Sequence, residues 1–128
     1  RWLIYERSGA RWRIVGGAGG STAKISSSLA LAGSGAISLD ASSNLQTILV
    51  QGSSTPVTLS NTPFTTTAPQ NGTVVKLIGN SDTNTVEIPA NDAAKGVLGY
   101  SITLGKGQTV TYEYNSTLDR YVILAASN

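Results

Sequence analysis

Thr73-Val74-Val75-Lys76-Leu77-Ile78, then Gly79-Asn80-Ser81-Asp82, then Thr83-Asn84-Thr85-Val86-Glu87-Ile88 is the stretch that decides the fold class. β-Branched and aliphatic residues dominate both runs, and a Gly-Asn-Ser-Asp cluster separates them, which reads as strand, turn, strand with Val86 and Ile88 inward. The Asn and Asp side chains of that turn are expected to bond their own backbone. Earlier in the chain, Leu29 and Leu31, Ile37 and Leu39, and Val57 and Leu59 follow a period of two. Leu45-Gln46-Thr47-Ile48-Leu49-Val50 has apolar residues at adjacent positions and predicts a more fully buried strand. Residues 61–69 carry two prolines among threonines and read as a long connection. Ser101-Ile102-Thr103-Leu104 returns as a strand, and a closing hairpin begins near Gln108. Only Asn91 to Lys95 could form a helical turn, capped by Asn91 or Asp92 and stopped by Gly96. The class is all-β, a short-stranded sandwich or prism-like module.

The chain has room for about one domain, and its core must be thin, because aromatic residues make up 6% and charged residues 12% of 128. Oligomerisation, in which neighbouring copies complete the core, would supply the missing apolar burial. Arg1, Arg7, Arg11 and Arg13 against Glu6 give the first fifteen residues +3, so the overall +2 leaves about −1 for the rest. A near-neutral body speaks against a nucleic-acid partner, and no apolar run is long enough for membrane insertion by a helix. With no cysteine, disulfides and thiolate chemistry are excluded.

The ends of the chain resemble each other. Leu3-Ile4-Tyr5-Glu6-Arg7 and Arg11-Trp12-Arg13-Ile14-Val15 align with Val110-Thr111-Tyr112-Glu113-Tyr114 and Arg120-Tyr121-Val122-Ile123-Leu124, as two hairpins differing in turn length. The expected organisation is therefore residues 1–15 as the closing hairpin of a preceding module, 16–23 as a Gly-rich linker, and 24–128 as the module itself. In the closing hairpin Val110, Tyr112 and Tyr114 share one face, as do Tyr121 and Ile123. These residues, with Trp12 in the first copy, are expected to pack against the core or a neighbouring subunit.

The elements Gly72 to Gly79, Asn84 to Ile88, Ser101 to Gly105 and Tyr112-Glu113-Tyr114 to Arg120-Tyr121 resemble a β-rich module of tailed-bacteriophage virion appendages, the structural proteins of tail fibres and tailspike ends. The similarity covers roughly residues 70–125, with a looser match back to Leu45, and Tyr121 stands where Trp is common. The resemblance implies a homotrimer among other virion proteins, an extracellular place on the virion, and an outer surface that meets the host, with a surface glycan as a possible partner. Alternatives are a capsid decoration or head-fibre protein, a polysaccharide-degrading tailspike domain, and an extracellular carbohydrate-binding module.

Catalytic readings are thin. Without histidine and cysteine, Ser/His/Asp and Cys/His triads are excluded. The Asn80 to Asn84 cluster is oxygen-rich but lacks the carboxylates of a calcium loop, and no cofactor or metal is called for. Ser21-Thr22-Ala23-Lys24 matches S-x-x-K without its companion motifs, and Gly105-Lys106-Gly107 is no phosphate loop. A glycosidase would need a carboxylate pair about 5 to 10 Å apart; Asp82 with Glu87 and Glu113 with Asp119 flank turns, where solvated charge is the simpler reading. Asn71 and Asn115 begin glycosylation acceptor patterns within turns. Tyr100, after Gly99 in a loop, is the best aromatic for a sugar contact. The chain thus reads as a non-enzyme.

Overall fold

The computed structural model describes residues 2–6, 11–15, 23–66 and 69–127, with side chains from Leu29 onward. All its regular elements are strands, so the all-β class holds. β1 (Trp2–Glu6) and β2 (Arg11–Val15) form a two-stranded antiparallel hairpin.

The strands that follow are wound as stacked coils. β3 (Ala23–Leu31) and β4 (Ile37–Ser38) belong to the first coil. β5 (Leu45–Gly52), β6 (Val57–Thr58) and β7 (Phe64–Thr65) make the second, and β8 (Val74–Gly79) and β9 (Val86–Ile88) the third. β5 runs parallel to β3 and β8, β6 to β9, and β4 to β7. Leu45 lies beside Val74 and Val57 beside Val86, so the chain retraces its path 29 positions later on two faces. Parallel strands need a long crossover, and here the crossover is the remainder of the coil, which gives the body three faces. The prism-like alternative describes this better than a sandwich.

The stack ends in antiparallel strands. β11 (Ile102–Leu104) pairs with β9, β12 (Thr109–Asn115) with β8 and with β13 (Arg120–Ser127), and β10 (Val97–Leu98) lies parallel to β13. The largest face is a six-stranded sheet in the order β10, β13, β12, β8, β5, β3, and the second is β11, β9, β6. Inward residues line up in columns: Ile48, Leu77 and Val110; Val57, Val86 and Leu104; Ile88 and Ile102; Ile37 and Phe64. All of these are buried. One column includes an amide, Gln46 beside Val75 and Tyr112, and it is tolerated because its bonding capacity is used. Gln46 Oε1 accepts from the Asp40 N–H at 3.0 Å, and Nε2 donates to the carbonyls of Asp40 and Ser43 at 3.0 and 3.2 Å.

Several local expectations change. β8 and β9 do not pair with each other, because Gly79 to Asp82 turns a corner between two faces rather than closing a hairpin. At that corner Ser81 Oγ accepts the N–H groups of Thr83 and Asn84, while Asp82 accepts the Lys106 N–H at 2.8 Å and Asn80 donates to Gln51. β5 is buried on one face only, with Leu45 40% exposed on the other. The connection at 61–69 contains β7, whose Phe64 is buried in the core. β3 begins at Ala23, the last residue assigned to the linker, and residues 16–22 lie outside the described ones. Asn91 to Gly96 forms no helix; the Gly96 N–H donates to the Ala93 carbonyl in a turn with Lys95 at φ 60°.

The two hairpins are also equivalent in a different way. Glu6 opposite Arg11 and Asn115 opposite Arg120 each leave four residues between the paired positions. Tyr5 therefore corresponds to Tyr114, not Tyr112, and the copies share turn length while their first strands are offset by two residues.

Candidate functional site

The closing hairpin presents Val110, Tyr112 and Tyr114 on β12 and Tyr121 on β13 to the interior, all buried, with half-buried Ile123 packed against them. Phe64 is edge-on to Tyr112 at 5.6 Å between ring centroids and tilted on Tyr121 at 4.8 Å; Tyr114 lies 5.1 Å from Tyr121. These rows thus pack on the core of their own chain, while the side chain of Trp12 lies outside the described residues. The hydroxyls of Tyr112 and Tyr121 meet no hydrogen-bonding group among the described residues. Burial, reinforced by Tyr114 and Asp119, pushes the Tyr121 phenol up to about 12. Burial with Tyr100 nearby raises that of Tyr112 as well. Neither titrates near neutral pH, so both serve packing.

Around the tip of that hairpin the polar groups interlock. Tyr114 Oη donates to Asp119 Oδ1 at 2.5 Å, Lys95 Nζ approaches the same oxygen at 3.4 Å, and the Lys95 N–H donates to the Asp119 carbonyl at 2.7 Å. Arg120 Nε donates to Asp92 Oδ1 at 3.0 Å and its Nη1 to the carbonyls of Leu118 and Asp119. The Tyr114 hydrogen bond, then Lys95 and Arg120, hold the Asp119 carboxyl below the usual carboxylate range. In return, the bond to Asp119 is the main cause raising the Tyr114 phenol. Sequence reasoning had no signal for this clasp, because Asp92 and Lys95 lie more than twenty positions from their partners. A second tie joins two turns: Asn71 Oδ1 accepts the Ser116 N–H at 2.9 Å.

The four carboxylates considered for sugar chemistry are scattered in their bonding. Asp82 holds the Lys106 N–H, Glu87 accepts from Thr58 Oγ1 at 2.8 Å, Asp119 belongs to the clasp, and Glu113 lies on the outward side of β12. Among the described residues no three acidic groups gather as a metal site. Lys24 stands on strand β3, not on the helix that the S-x-x-K chemistry uses, and Ser21 and Thr22 lie outside the described residues. Tyr100 is 58% exposed and follows Gly99, whose φ of 118° only glycine adopts readily. A cleft of about 290 Å³ lies between the first and second coils, lined by Leu29, Ser38, Leu39, Asp40, Gln46, Thr47 and Ile48, and neither Tyr100 nor any of those four carboxylates lines it.

Compared with known protein families, with curated proteins and with solved structures, the chain has no significant match.

Proposed function

We propose that the chain is a non-enzymatic structural module of a phage-like virion appendage, a tail fibre, which works as a homotrimer and contributes to attachment at the host surface. The observation that carries this reading is the coil stack closed by an antiparallel hairpin, with a second hairpin of the same turn length at β1–β2. Stacked coils extend along one axis by adding ladders, the geometry of a stiff rod segment. A closing hairpin that recurs at the other end of the sequence fits a series of such segments. The near-neutral body fits assembly with copies and other virion proteins rather than with a polyanion. Trimerisation brings avidity to a weak attachment surface, and exposed Tyr100 is the ring on which a host sugar would stack.

Two measurements bear on this. Antibodies against the chain, viewed by electron microscopy, should decorate virion appendages; label confined to unassembled protein would sink the assignment. On a glycan array, Tyr100→Ala should lose whatever binding the parent shows, and unchanged binding would remove Tyr100 as the contact.

A further inference from the structure

The three outward faces of the prism differ in chemistry. On the β6–β9–β11 face the outward residues are Thr58, Glu87 and Thr103, and on the β4–β7 face Ser38 and Thr65, all polar. The outward side of the six-stranded sheet is different. Its pairing places Leu98, Val122, Glu113, Val74 and Leu45 in one row across five strands. A second row holds Ala125, Thr111, Lys76 and Thr47, and a third Thr109, Ile78 and Leu49. Each of Leu98, Val122, Val74, Ile78 and Leu49 is only half-buried, and Leu45 is 40% exposed. Alternation along β5 and β8 shows that these side chains point away from the core. An antiparallel or mixed sheet with one wet face ordinarily carries polar residues there.

We infer that this face is where the chain packs on further copies of itself. The inference rests on the homo-oligomeric reading above and adds the surface. Three observations name the occupant. The strands read as apolar on both faces, Leu45 to Val50 and Val74 to Ile78 most clearly, which is the pattern of sheets covered on two sides. The only charges in these rows are Lys76 and Glu113, of opposite sign and in adjacent strands, so around a threefold axis one neighbouring copy can set its glutamate against this lysine while the other sets its lysine against this glutamate. The five long strands β3, β5, β8, β12 and β13, of six to nine residues at about 3.3 Å per residue and about 4.8 Å apart, give roughly 600 Å² in projection, the low end of what one partner contributes to an ordinary interface.

The test uses the 128-residue chain in analytical ultracentrifugation at about 100 μM, with circular dichroism to check folding. Wild type is expected near three times 13.2 kDa, about 40 kDa, and Leu45→Lys is expected to weaken association by about 100-fold through an unpaired charge in the contact. Lys76→Glu, at an exposed site where folding is not at risk, should do the same, and Lys76→Glu with Glu113→Lys should restore the assembly. Leu118→Lys, at the hairpin tip and 49% exposed, should leave it intact. A multimer that survives both single changes overturns this surface while the oligomeric reading stands. A wild type that sediments as a monomer overturns both.

Discussion

Tyr112 and Tyr121 show how two large side chains can serve a core with their rings alone. Both are fully buried against Phe64, and their hydroxyls lack partners among the described residues. A buried hydroxyl without a partner costs stability that a phenyl ring does not. Tyr112→Phe and Tyr121→Phe are therefore expected to leave the urea midpoint unchanged or to raise stability by up to about 1 kcal/mol; a loss of that size would mean that the hydroxyls are bonded. The alkaline limb follows from the same burial. Below pH 10 both phenols are protonated folded or unfolded, so they add no pH dependence. Between 10 and about 12 the unfolded chain releases the Tyr121 proton that the folded chain keeps, and stability falls as pH rises. Tyr121→Phe should flatten that fall. Asp119 acts in the opposite direction: its folded pKa is depressed, chiefly by Tyr114. Its contribution is present above about pH 4 and lost as pH falls through the folded value. The gap in thermal midpoint between wild type and Asp119→Asn should shrink on acidification, and a constant gap would discount the clasp.

Strands were legible wherever one residue in two was apolar, as at Leu29 and Leu31 or Val86 and Ile88, because that alternation is set by the strand itself. Their partners were not legible. Gly79 to Asp82 offers the same turn chemistry to a hairpin and to a coil corner, and only the strand that arrives 29 residues earlier decides between them. β7 was hidden because Pro63 and a run of threonines masked a two-residue strand whose Phe64 fills the prism. The element-scale consequences can be measured. Phe64→Ala removes the ring that Tyr112 and Tyr121 both contact and should cost about 3 to 5 kcal/mol, read as a lower urea midpoint at unchanged slope. Gly79 sits where the third coil meets the turn before β12. A Cβ there would run into the Gly105 carbonyl, so backbone must move. Gly79→Ala should cost about 1 to 3 kcal/mol, whereas Gly33→Ala, with open space around it, should cost less than about 1 kcal/mol. Equal effects would deny the close approach.

At the scale of the molecule, stability in a coil stack is set by neighbours, since each coil buries its residues on the one before and the one after. β8 lies between β5 and β12, while β3 is the last strand of its sheet and, among the described residues, has β5 alone beside it. The two ends of the stack are also built differently. At the far end Tyr112, Tyr114 and Tyr121 seal the interior. At the first coil Leu29 is only half-buried, and a cleft opens between that coil and Gln46, Thr47 and Ile48 of the next. Local opening should therefore begin at β3 and stop short of β8. In native-state hydrogen exchange the amides of Val75 and Leu77 should be protected to nearly the global unfolding free energy, and those of Leu29 and Leu31 should exchange through smaller openings, at least about tenfold faster. Assembly through the outward face of the sheet would slow exchange across β5, β8 and β12 together, because opening any of them would disrupt the contact. A concentration series separates the two effects: the difference between β3 and β8 persists on dilution, and the added protection does not. Uniform protection from β3 to β12 at every concentration would instead make the stack one cooperative unit, with no weaker end.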